Sequence, residues 1–163
     1  MSNGMRPGGL TALAVMNFVF AAFMALRSLN WLTMILILTD AFPIPMGGGD
    51  SEQSREMARQ MELVREWFNE AGGIPLVIAL AGLCLVQAAL LITSGIGYLK
   101  QKKLLGHVLG NVYVATAVLY VALVVGCVPQ ELGGFNLMTM IALIYPVLTL
   151  VVLNTTFRRD FGS

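Results

Sequence analysis

Few side chains in this sequence could do chemistry, and their types favour hydrogen bonding between helices over catalysis. The chain holds one histidine, His107, and Asn111 follows it four residues on. A helix would bring that pair to one face. Asn17, Thr93, Ser94 and Asn154 fall at comparable depth in their own apolar runs. In a membrane such residues hydrogen-bond across helices, each link contributing roughly 0.6–2 kcal/mol, or they line a polar cleft. Asn17, Ser94, His107, Asn111 and Asn154 therefore form the candidate interhelical polar cluster.

The same residues argue against other chemistry. A single histidine cannot supply both ligands of a bis-histidine haem, and no Cys/His/carboxylate group has zinc or iron spacing. No cofactor and no metal is expected. No HExxH or GxSxG motif occurs, and no phosphate-binding glycine loop ends in a lysine. No carboxylate pair lies inside an apolar run, as a proton-coupled pump would need. No catalytic residue is expected, and the chain does not read as an enzyme.

The elements that must position these residues are four long apolar stretches, at about 10–41, 74–99, 104–128 and 134–157. Each exceeds the roughly 20 residues that cross a hydrocarbon core of about 30 Å. Hydrophobic residues make up 57% of the 163 and charged residues 12%, against about 25% charged in a soluble domain. One core of this size could not hide that much apolar surface from water. A net charge of +1, with no basic cluster interleaved with aromatics, gives no reason to expect nucleic acid. The first apolar run is far longer than the core of a signal peptide and reads as a retained helix. Cys84 and Cys127 fall at different depths, too far apart for a disulfide, and read as small hydrophobes.

Charge sets an orientation. Arg6, Lys100, Lys102, Lys103, Arg158 and Arg159 fall on one side, against Arg55, Arg59 and Arg65 on the other. The positive-inside rule then places both termini in the cytoplasm. The expected fold is an all-α polytopic membrane protein with four transmembrane helices, N-in/C-in, plus one extracytoplasmic amphipathic helix. It forms a single membrane domain over 1–163.

That extra helix is expected at 51–70, in the long connection after the first span. Met57, Met61, Val64, Trp67 and Phe68 cluster on one face at 100° per residue, with acids and arginines opposite. Ser51 or Asp50 can N-cap it and Gly72-Gly73 can end it. The apolar face is the candidate partner-binding face. Packing on the projecting end of the first helix is the first alternative, ahead of a partner protein, whose contact the methionines suit. The six acids of this connection argue against the lipid interface.

Three further features need a place. The first helix overshoots the bilayer, and Arg27, Ser28 and Asn30 interrupt its apolar run. Arg27 is thus an interfacial charge, or a functional one if it lies within the membrane. Gly106 and Gly110 form a GxxxG, a candidate helix-contact motif for a neighbouring helix or a second copy. Pro146 removes a backbone bond in the fourth helix and should kink it. A faint repeat pairs Asn17 with Asn111 and Gly72-Gly73 with Gly133-Gly134.

Arg6-Pro7-Gly8-Gly9-Leu10, leading straight into an apolar helix, and Gly95-Ile-Gly-Tyr-Leu-Lys-Gln-Lys-Lys-Leu-Leu-Gly106 at the second connection form a loose pattern. Together they resemble uncharacterised small bacterial inner-membrane proteins with four helices. The resemblance implies that location and no activity or site residues. The expected role is a non-enzymatic accessory or scaffolding subunit, or a self-associating bundle, that binds other membrane proteins amid membrane lipids. The contrasting class is a small transporter, channel subunit or lipid-binding protein that uses the polar half of the bundle.

Overall fold

The computed structural model of the chain describes residues 8–39, 52–70, 72–102, 104–129 and 137–155. Among these the fold is all-helical, as the apolar runs require when no water is present to pair the backbone. In order, the helices are α1 (Gly8–Leu38), α2 (Glu52–Glu70), α3 (Gly73–Lys100), α4 (Leu109–Cys127), preceded by a π-helical turn at Leu104–Val108, and α5 (Leu137–Thr155). Among the described residues three stretches are long and apolar enough to cross a membrane: Gly8–Ile37, Gly73–Lys100 and Leu104–Cys127. The fourth, within α5, is apolar over the shorter Leu143–Thr155.

The distribution of side chains is inverted relative to a water-soluble bundle. Val15, Val19, Leu26, Ile78, Leu85, Val118, Leu119, Leu148 and Val151 are all half or more exposed, whereas Asn17, Ser28, Gln87, Ser94 and Thr149 are buried. A soluble protein would pay heavily for so large an apolar surface. Against hydrocarbon the same surface costs nothing, and the buried polar groups hydrogen-bond between helices. This is the make-up of a helical membrane protein.

The chain divides into two compact units, Met1–Leu26 with Leu83–Ser163, and Arg27–Gly82. In the first, α4 packs against α5. Ala21, Met24, Ala88, Leu91, Tyr113, Val114, Ala117 and Tyr145 form its main core. Leu10, Ala14, Tyr98 and Leu153 form a second. In the second unit the Ser28 hydroxyl donates to the Ala81 carbonyl over 3.0 Å. Arg27, Ser28 and Asn30 interrupt the apolar run, but they do not interrupt the helix: α1 is continuous for 31 residues. Polar side chains leave backbone pairing intact, and Ser28 finds its partner across to α3.

Glycines appear where the backbone needs them. Gly72 adopts a φ of 65° between α2 and α3, in the left-handed region that a Cβ disfavours. Gly73 brings its backbone against Phe68, whose Cα would lie 2.8 Å from any added Cβ. The turn after α3 is closed differently. Lys102 N–H donates to the Gly97 carbonyl over 3.0 Å, and Gln101 N–H to the Tyr98 carbonyl over 3.3 Å. That pair is a Schellman closure, which normally places glycine at the left-handed position. Here Gln101 occupies it, at a φ of 52°. An L-residue there costs roughly 1–2 kcal/mol, part of which glycine returns through its greater freedom when unfolded. Gln101→Gly should therefore stabilise the protein by about 0.5–1 kcal/mol, read as a later midpoint in reversible detergent unfolding.

Several expected features lie outside the described residues: the Ser51 or Asp50 cap, the Gly133-Gly134 half of the repeat, Arg6, Lys103, Arg158, Arg159 and the side chain of Met57. The helix of α5 runs on through Pro146, which is buried. Cys84 is buried and Cys127 exposed, and no disulfide joins them.

Candidate functional site

The polar interior of the first unit is organised by Asn17. Its position on α1 faces α3 and α5, and its carboxamide spends both ends there. Nδ2 donates to Ser94 Oγ over 2.7 Å and to the Leu91 carbonyl over 3.3 Å. Oδ1 accepts from the Tyr145 hydroxyl. Ser94 Oγ also donates to the Leu91 carbonyl, over 3.2 Å. Asn17, Ser94 and Leu91 are almost wholly buried, so each bond forms where water cannot substitute for it. Phe20, one turn from Asn17, stacks on the Tyr145 ring with centroids 3.9 Å apart and planes within 5°. Tyr113 adds a tilted ring 6.3 Å from Tyr145.

A second network joins α4, α5 and the π turn. His107 Nε2 meets Asn154 Oδ1 at 3.1 Å. An amide oxygen only accepts, so Nε2 carries the proton in this bond. Asn154 Nδ2 donates to Asn111 Oδ1 over 3.0 Å and to the Leu150 carbonyl over 2.8 Å. The five residues expected to form one polar cluster are thus divided by these bonds. Asn17 and Ser94 belong to the inner group. His107, Asn111 and Asn154 belong to a more exposed one.

Sequence reasoning passed over the inner group's other members. Tyr145, Tyr113 and Tyr98 are almost wholly buried, as is Gln87. Gln87 Nε2 donates to the Thr116 carbonyl over 3.2 Å. Its Oε1 and the Tyr113 hydroxyl are buried with no hydrogen-bond partner among the described residues. A glutamine in the middle of an apolar run was the available signal, because burying an unpaired amide is expensive.

Gly106 and Gly110 both make contacts inside the unit. Gly106 lies against the backbone of Gly97. A Cβ on Gly110 would come 2.5 Å from the Tyr98 hydroxyl and 2.6 Å from Leu153 Cδ1. The motif therefore serves close approach to α3 and α5 of the same chain. Gly95 does likewise for α1, where a Cβ would meet the Phe18 ring at 3.1 Å.

In the second unit α2 faces α1 through two of its side chains. Met61 and Val64, with Asn30, Thr33, Met34 and Ile37 of α1, line an open groove of about 260 Å³. Thr33 Oγ1 is held by the Leu29 carbonyl at 2.9 Å. Phe68 is 4% exposed and takes Trp67 edge-on, with centroids 5.4 Å apart. Of the expected partner-binding face, Phe68 is thus occupied within the unit, while Met61, Val64 and Trp67 are half-buried. Arg27 is also half-buried.

No protein-family model, curated protein or solved structure matches the chain.

Proposed function

We propose that the chain is a four-span, N-in/C-in protein of a bacterial inner membrane, with α2 outside, and that it acts as a non-enzymatic accessory subunit for another membrane protein. One observation carries this reading: the polar side chains of the first unit are largely spent on one another. Asn17, Ser94 and Tyr145 form one set, and His107, Asn111 and Asn154 another. Interhelical bonds of that kind hold a bundle together. A transport path usually needs ionisable groups facing its interior. The described parts of this unit contain no aspartate or glutamate. The groove at Met34 and Met61 is the complementary half of the argument. It is open, and methionine lining adapts to different apolar partners.

The test uses the tagged full-length protein, solubilised mildly from its own membranes. It should bring down one stoichiometric membrane protein, and Met61→Asp should lower that yield at least tenfold while the melting temperature of the purified chain stays within a few degrees. If the chain emerges alone, and vesicles containing it show solute flux that Asn111→Leu abolishes, the subunit reading fails.

A second reading has its own observation. Among the described residues Gln87 Oε1 and the Tyr113 hydroxyl have no hydrogen-bond partner, and such buried groups favour a polar molecule that enters the bundle. That would make the chain a small transporter, channel subunit or lipid-binding protein.

A further inference from the structure

The turn between α3 and the π-helical start of the next span concentrates positive charge, with no acidic side chain among the described residues of its unit to balance it. Lys100 and Lys102 are exposed, and the Schellman closure fixes the backbone between them. Gly106 N–H donates to the Lys102 carbonyl over 2.8 Å, which ties the far side of the turn as well. All nine acids of the chain fall at 40, 50–70, 131 or 160. None belongs to the described parts of α1, α3, α4 or α5 in this unit.

The surface beside the lysines is apolar. Leu104 is 69% exposed, and Val108 and Ile96 are also exposed. A basic turn set directly on an apolar helix surface has the chemistry of an amphiphile's receptor. Phosphate would meet the ammonium groups while acyl chain lies along Leu104 and Val108. Free phosphate would use only the first half of that surface.

We propose that Lys100 and Lys102, with the exposed face of Leu104 and Val108, form a docking surface for an anionic phospholipid. The proposal rests on reading α3 and α4 as membrane spans. Basic residues at a membrane surface contribute roughly 1 kcal/mol each toward anionic lipid. Two of them correspond to an affinity ratio of about 30-fold.

The experiment titrates the full chain in neutral detergent micelles with phosphatidylglycerol, phosphatidylcholine and inorganic phosphate separately, reading adducts by native mass spectrometry. Phosphatidylglycerol should bind at least tenfold tighter than phosphatidylcholine. Lys100→Gln with Lys102→Gln should lower its affinity about 30-fold, and Lys100→Arg with Lys102→Arg should retain it. Equal binding of the two lipids, or unchanged affinity in the double glutamine variant, overturns the proposal. So does saturable binding of inorganic phosphate that displaces the lipid. Micelles have no sidedness, so this result is independent of the N-in/C-in orientation. That orientation is checked separately, by thiol labelling of Gln101→Cys in sealed vesicles of a chain with both native cysteines changed to serine.

Discussion

Gly97→Ala should lower the stability of the protein by about 3 kcal/mol or more, while Gly82→Ala, earlier in the same helix, should raise it by up to about 1 kcal/mol. Alanine is the better helix former, so propensity alone predicts a gain at both positions. The surroundings decide otherwise. Nothing lies within 4 Å of where a Cβ would stand on Gly82. At Gly97 the Cβ would be driven into the backbone of Leu105 and Gly106, with the Gly106 Cα only 2.8 Å away. Flexible side chains could yield by changing rotamer, but these atoms are backbone: Gly106 N–H is bonded to the Lys102 carbonyl, and Lys102 N–H in turn to the Gly97 carbonyl. Relief would have to open the turn and with it the π-helical start at Leu104. Reversible unfolding in mixed micelles, followed by tryptophan fluorescence, measures both variants. A stable Gly97→Ala protein would mean that α3 and the following turn are not in backbone contact.

The helices themselves were legible because apolar run length reports the cost of moving residues out of water, and that cost depends only on composition. Residues 74–99 and 104–128 therefore anticipate α3 and the π turn with α4 closely. Which side of each helix faces inward depends on rotation about its axis, and apolar residues all around the helix hide that angle. The partnership of Asn17 with Tyr145 is a case: hydropathy counts tyrosine among ordinary span residues, and the two lie far apart in the chain. Grouping the five polar residues by depth placed Asn17 with Ser94 and His107 with Asn154, and hydrogen bonds link each of these pairs. It could not separate the two sets, because depth along the membrane says nothing of which helices adjoin. The left-handed Gln101 was equally hidden, since glutamine carries no turn signal. Gly106 and Gly110 were visible as a contact motif, but a motif of small residues does not name its neighbour. Trp67 and Phe68 shared the predicted face by periodicity, yet only the fold shows that Phe68 is used within its own unit.

Replacing Asn17 tests whether the inner polar group holds the bundle together. Asn17→Leu keeps the approximate size of the side chain and removes three hydrogen bonds at once: those to Ser94, to the Leu91 carbonyl and from Tyr145. Ser94 keeps its bond to the Leu91 carbonyl, so the main damage falls on the Tyr145 hydroxyl. Interhelical bonds in membranes contribute roughly 0.6–1.7 kcal/mol each, and stranding a buried hydroxyl costs about 1–3 kcal/mol. The expected loss is about 2–4 kcal/mol. Tyr145→Phe alone should cost less, because the ring and its stacking on Phe20 remain. The informative variant is the double one. With both polar groups gone no hydroxyl is stranded, so Asn17→Leu with Tyr145→Phe should be less damaging than the sum of the singles by about 1 kcal/mol or more. Additivity within about 0.5 kcal/mol would show that the two side chains do not interact. The organising role of Asn17 would then have to be given up in favour of apolar packing by Phe20, Met24 and Tyr113.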